Sequence, residues 1–132
     1  MTRRIDNGKR GLTPINFDIA IAGGGMVGAT LALALRGCGY RIALIEPVAP
    51  GQAAQPSYDD RGIALSLASV RVLRHIGIWE QVQRSANPIR RVHVSEQSRF
   101  GCVQMDAARV GVDALGHVVV ARELGAALWE CV

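Results

Sequence analysis

The run Phe17-Asp-Ile-Ala-Ile-Ala-Gly-Gly-Gly-Met-Val-Gly28 constrains the fold of this chain more than any other stretch. Ile19 to Ile21 alternate with small Ala20 and Ala22 and read as a short buried strand. Gly23, Gly25 and Gly28 follow at the spacing of a dinucleotide-binding turn. Ala29 to Arg36 (ATLALALR) then read as helix, with Leu31, Leu35 and small Ala32 and Ala34 suited to lying against a sheet. Gly37 and Gly39 are helix-stop signals. Arg41 to Glu46 form a second strand, apolar in its interior as parallel strands covered on both faces tend to be. Strand, glycine turn, helix, strand and acid thus stand in order within about thirty residues, as that fingerprint requires.

Each part has a physical task. Gly23 lets the chain turn sharply after the strand, and Gly25 lets backbone N–H groups approach a pyrophosphate. Gly28 lets the helix pack closely on the strand, and the helix N-terminus presents partial positive charge to phosphates. Glu46 stands where a carboxylate accepts hydrogen bonds from an adenosine ribose, and its charge argues against a 2′-phosphate there. A membrane span is the competing reading, since Ile19 to Leu35 hold no charged residue and Gly24 and Gly28 show small-xxx-small spacing. That stretch is short for a span, where about 20 residues are usual. Glycines in its first half also weaken a helix by roughly 1 kcal/mol each relative to alanine.

The 132 residues suffice for one domain with a core, and 49% apolar content excludes disorder of the whole chain. The formal charge is +4, and all basic residues but Lys9 are arginine. These arginines are scattered from Arg3 to Arg122 and aromatic residues are few, so a nucleic-acid partner is not expected. An anionic cofactor or membrane surface suits the charge better. Cys38, Cys102 and Cys131 show no CxxC pair and sit in apolar sequence, which predicts small core residues in a reducing compartment. His75, His93 and His117 are far apart without carboxylates at ligand spacing, so no metal site is expected. Residues 1–16 read as a flexible basic tail without the apolar region of a secretory signal, leaving 17–132 as the domain.

Beyond a Pro, Gly, Gln and Ser-rich loop over 49–58, the block 59–77 reads as helix. There Leu65, Ala68, Val72 and Ile76 recur at helical intervals, Ser66 or Ser69 can cap the start, and Gly77 closes the run. Ile78 to Val82 make a short turn with Trp79 packed on the body. Pro88 to Ser95 read as one half-exposed strand, with a hairpin mate at Phe100, Val103 and Met105 after a turn over 98–101. A connection over 110–116 leads to a strand over 116–120 and a helix over 122–132, with Leu124 and Leu128 on one face. The fold class is therefore α/β: a Rossmann-like start of βαβ type with inserted helices and antiparallel strands. That order resembles an FAD-binding domain more than a nicotinamide domain, where strand and helix would keep alternating.

The stretches FDIAIAGGGMVGATLALAL, ALIE, DDRGIALSLASVRVLRHIGIWEQV, IRRVHVSEQSRFG, LGHVV and ARELGAALWE together resemble the flavin-dependent hydroxylases of ubiquinone biosynthesis. VHVSE…FG favours, within that family, a branch acting on an octaprenyl methoxyphenol. The resemblance runs from Phe17 to the end of the chain. It implies FAD as cofactor, NAD(P)H as reductant, and O2 and a polyprenyl phenol as substrates, with one oxygen atom inserted into an electron-rich ring. It also implies a cytoplasmic protein with peripheral contact to the inner membrane and a place in a ubiquinone-biosynthesis protein complex.

By the same resemblance, Gly23, Gly25 and Gly28 match the pyrophosphate turn and Glu46 the ribose acid. Arg61, in Asp60-Arg61-Gly62-Ile63-Ala64-Leu65, matches an arginine near the flavin and its diphosphate. A guanidinium suits that place because it is always charged and holds oxygens bidentately. The other reading of Arg61 is a surface arginine at a helix start, where the dipole disfavours its charge. Arg122 matches an arginine opening the helix after LGHVV; a solvated helix face is the other reading. Asp60 is expected as a cap or a partner of Arg61. No residue is identified as catalytic acid or base. The family shows Glu-Asn where this chain has Val120-Ala121, which puts a cofactor contact from that corner in doubt. Family members are also much longer and carry a second FAD motif with a Gly-Asp pair, so the chain reads as an N-terminal fragment or truncated reading frame. Two alternatives stay open: a non-catalytic dinucleotide-binding remnant and an NAD-dependent oxidoreductase domain.

Overall fold

The computed structural model describes residues 15–48, 59–98 and 100–132. The expected loop over 49–58 and most of the expected tail lie outside the described residues. The opening unit forms as the pattern predicts. Strand β1 (Ile19–Ala22) pairs in parallel with β2 (Ile42–Ile45), Ile19 opposite Ile42 and Ala22 opposite Ile45, and helix α1 (Met26–Ala34) makes the crossover. The helix starts at Met26, earlier than expected, because Ala29 N–H already donates to the Gly25 carbonyl at 2.9 Å. It buries Ala29 and Leu33 rather than the expected Leu31 and Leu35 face. The segment MVGATLALA is apolar all round, so its sequence does not specify an inward stripe. Cover on both faces of the strands is not what forms either: Ile21 is buried, whereas Ile45 is 58% exposed.

The helix expected over 59–77 divides in two. Gly62–Ser66 is strand β3, and helix α2 runs only from Leu67 to His75. Ile63 and Leu65 turn half inward while Gly62, Ala64 and Ser66 face out, a period of two inside a stretch that also fits a helical period. Long-range pairing decides between them, because every β3 residue is matched by β7 (Gly116–Val120), from Gly62 opposite Val120 to Ser66 opposite Gly116. Ser66 caps α2, its Oγ accepting from Ser69 N–H at 3.1 Å. Helix α3 (Trp79–Val82) follows, with Trp79 buried as expected.

The single strand expected over 88–95 also divides. Strand β4 (Asn87–Ile89) joins the other edge of β7, and β5 (Arg91–Ser95) forms a hairpin with β6 (Cys102–Asp106). Arg90 is the corner: the Ile89 carbonyl accepts from Leu115 N–H at 2.7 Å and the Arg90 carbonyl from Ala107 N–H at 2.9 Å. A 3-10 turn (Ala107–Val110), capped by Asp106, leads towards β7. Helix α4 (Ala121–Cys131) closes the described fold. Leu124 and Leu128 are both buried, as their spacing predicts. They join Ala29 and Leu33 of α1, Val70 and Leu73 of α2, Trp79 and Val82 of α3, and Val119 of β7 in one core. The cysteines correct the expectation of core positions: Cys38 and Cys102 are exposed, and only Cys131 packs against the core.

Candidate functional site

The glycine turn lies where the chain leaves β1, and its shape depends on the missing side chains. Gly23 has φ of +99°, a backbone conformation that strains other residues. A β-carbon on Gly28 would meet the Gly23 carbonyl oxygen at 1.9 Å, so the helix can fold back on the turn only through a glycine. Gly25 is the N-cap of α1, with φ of −64° and ψ of −176°, and no side chain caps this end. The first turn of α1 also carries no acidic residue. A nine-residue helix thereby presents its N-terminal N–H groups without a side-chain acceptor, which is the arrangement that suits a phosphate.

Glu46, just past the end of β2, reaches back to this turn. Its Oε2 accepts from Gly24 N–H at 2.6 Å and its Oε1 from Val48 N–H at 3.0 Å. The short first bond is charge-assisted and ties the second strand to the glycine turn of the first. Gly24 is no part of the dinucleotide-turn spacing, yet it is the most enclosed residue of the turn. A β-carbon there would lie 2.6 Å from the Trp129 ring and 2.8 Å from Glu46 Cβ. Helix α4 therefore lays an indole against the turn. The consecutive run Gly23-Gly24-Gly25, one glycine more than the fingerprint needs, is the only sequence signal for that contact.

Arg61 and Arg122 come together at a second place. Ala121 N–H donates to the Arg61 carbonyl and Arg122 N–H to the Asp59 carbonyl, both at 2.9 Å, so the approach to β3 lies against the start of α4. Arg61 Nε pairs with Asp59 Oδ2, and Arg122 Nη1 with Asp60 Oδ1, each at 2.5 Å. Asp60 thus partners Arg122 rather than Arg61 and caps no helix, contrary to expectation. Nor does Arg61 stand at a helix start; it precedes a strand, so the unfavourable dipole argument does not apply to it. The Arg61 side chain holds the Asp59 carboxyl below its ordinary range, and Asp59 in turn raises the guanidinium. Val120, the N-cap residue of α4, offers no side-chain acceptor.

An apolar groove of about 550 Å³ is lined by Met26 and Leu31 of α1, Ile63 and Leu65 of β3, and Val72 of α2. Val27 on its wall is 83% exposed. Among the described residues no helix is long and apolar enough to cross a membrane, and Ile19 to Leu35 are strand, turn and a nine-residue helix instead.

The chain is similar to proteins already known. Residues 16–122 match the family profile described as FAD binding domain. The chain is 39% identical over 115 residues to the 3-demethoxyubiquinol 3-hydroxylase of Escherichia coli, covering 86% of this chain and 29% of that protein. It is 37% identical over 121 residues to the uncharacterized protein slr1300 of Synechocystis, covering 92% of this chain and 28% of that one. The fold is similar to that of the anhydrotetracycline hydroxylase OxyS of Streptomyces rimosus, with a TM-score of 0.64 at 23% identity over 86% of this chain and 22% of OxyS. The chain therefore spans less than a third of the length of these relatives. With a glycine turn, its acid and the profile match over most of its length, the chain belongs to the family of FAD-binding domains.

Proposed function

We propose that this chain supplies the FAD-binding end of an aromatic-ring monooxygenase acting on a polyprenyl phenol of ubiquinone biosynthesis. The observation that carries this is the uncapped start of α1 beside a glycine turn held by Glu46. The N–H groups at Gly25 to Gly28 would receive the pyrophosphate, with Gly23 and Gly28 setting the turn. Glu46 would accept from the hydroxyls of the adenosine ribose. Arg61 and Arg122 would hold oxygens of the flavin or its diphosphate, exchanging Asp59 and Asp60 for the cofactor. Bound FAD, reduced by NAD(P)H, supplies the oxygen chemistry. The similarity to the E. coli hydroxylase supports a ubiquinone-type phenol as substrate, and the apolar groove beside the turn suits a protein that keeps water from a cofactor.

Titration of the 132-residue chain with FAD, followed by quenching of flavin fluorescence, tests the reading. Saturable binding is expected, lost in Gly25→Val. The backbone at Gly25 lies in a region that valine also adopts, so the variant tests side-chain obstruction of the phosphates rather than backbone strain. Absence of FAD binding by the parent chain would favour a non-catalytic remnant, and preferential saturation by NADH would favour a nicotinamide domain. The chain by itself is expected to hydroxylate no phenol; NADPH oxidation coupled to hydroxylation would overturn that part.

A further inference from the structure

A second cavity, of about 560 Å³, lies on another part of the molecule, where α2 faces the segment leading into β7. Arg71 and Arg74 of α2, Arg90 at the corner between β4 and β5, and His117 of β7 line it. None of the three arginines forms an ion pair with a described carboxylate, in contrast to Arg41, Arg61, Arg91 and Arg122. Among the described residues Asp113 is the one carboxylate on the cavity wall, so this lining carries more positive charge than negative.

One of the cations is held in place by an aromatic ring. Arg71 and Arg74 are three residues apart on one helix face. The Arg74 guanidinium lies 5.7 Å from the centre of the Trp79 ring, within cation–π reach. Trp79 is buried, and its edge meets the His117 ring with centroids 4.9 Å apart. The Nδ1 atom of His117 is enclosed without a hydrogen-bond partner. Three guanidinium groups without carboxylate partners around one cavity favour an anion among them.

We propose that this cavity binds a phosphate group bearing a neighbouring hydroxyl. Arg71, Arg74 and Arg90 hold the phosphate oxygens, and Asp113 accepts from the hydroxyl. The carboxylate is what separates this site from one for bare phosphate, because it repels an anion and rewards a donor beside it. The volume lies within the range of small-molecule sites. A ribose phosphate of a nucleotide and the headgroup of phosphatidylglycerol share that chemistry.

Calorimetric titration of the Gly25→Val chain, in which the glycine turn no longer takes a dinucleotide, separates this site from the proposed FAD site. The probes are adenosine 2′-monophosphate, phosphatidylglycerol vesicles and inorganic phosphate, each against potassium chloride at equal ionic strength. Saturable binding of the nucleotide or the vesicles, tighter than inorganic phosphate, is expected, and the tighter of the two identifies the source. Arg71→Gln and Arg90→Gln are each expected to weaken it about tenfold or more, as loss of a charge-assisted bond does. Asp113→Asn should narrow the preference over inorganic phosphate. Arg90 stands on an exposed corner, so its replacement leaves the core intact, and circular dichroism verifies this. A response no greater than that to chloride, or unchanged affinity in both arginine variants, would overturn the proposal.

Discussion

At the scale of single residues, the glycine turn is defined by what stands against it. Gly28→Ala places a methyl group where the Gly23 carbonyl lies, and a shift of backbone is the only relief. A loss of about 1–3 kcal/mol is expected from such overpacking, read from the urea midpoint. Glu46→Gln keeps the shape but weakens the acceptor for Gly24 N–H, so FAD affinity should fall by about tenfold while the circular dichroism spectrum is unchanged. Exposed pairs respond to acid. Asp18 is lowered mainly by the Arg41 side chain, Asp59 mainly by that of Arg61, and Asp106 mainly by the Ala108 N–H. Folded values below the ordinary 3.8 mean that the stabilisation is present above that pH and is lost as pH falls through the folded values. Stability should therefore drop below about pH 4, and Asp18→Asn should make the drop shallower in an acid titration. The glycine turn and the place of Glu46 just past β2 are legible because their spacing has a mechanism. Gly24 and the pairing of Asp60 with Arg122 are not, since each depends on α4, which is remote in sequence.

At the scale of elements, α2 is held at its start by one hydroxyl. Ser66→Ala removes the bond to Ser69 N–H and should cost about 0.5–2 kcal/mol in thermal or urea unfolding. The rest of the local structure sorts by how far apart its partners lie. β1, α1 and β2 are written in one contiguous stretch, and so is the β5–β6 hairpin with its turn at Ser98, which has φ of +63°. β3 was hidden because Leu65 serves a helical repeat with Ala68 and Val72 as well as a strand alternation with Ile63. Only β7, about fifty residues on, resolves that ambiguity. The division of Pro88 to Ser95 follows the same rule. Ile89 and Val92 stand three apart, so the apolar alternation shifts phase across Arg90 and Arg91, and the corner is fixed where Leu115 and Ala107 donate to the Ile89 and Arg90 carbonyls.

At the scale of the whole molecule, α4 is the element around which the others meet. It touches α1, α3 and β7, and its Leu128 is completely buried. Leu128→Ala should cost about 2–5 kcal/mol, measured by denaturant unfolding, because the site has neighbours on several sides that cannot all collapse inward. The same helix reaches the glycine turn through Trp129, more than a hundred residues away in sequence. That contact makes cofactor affinity and helix order two faces of one equilibrium. A ligand that requires the closed turn must also favour a docked α4, and the fraction of molecules with α4 undocked scales the apparent dissociation constant upward. A substitution at the far end of the helix, touching no ligand, would then change how tightly the turn binds.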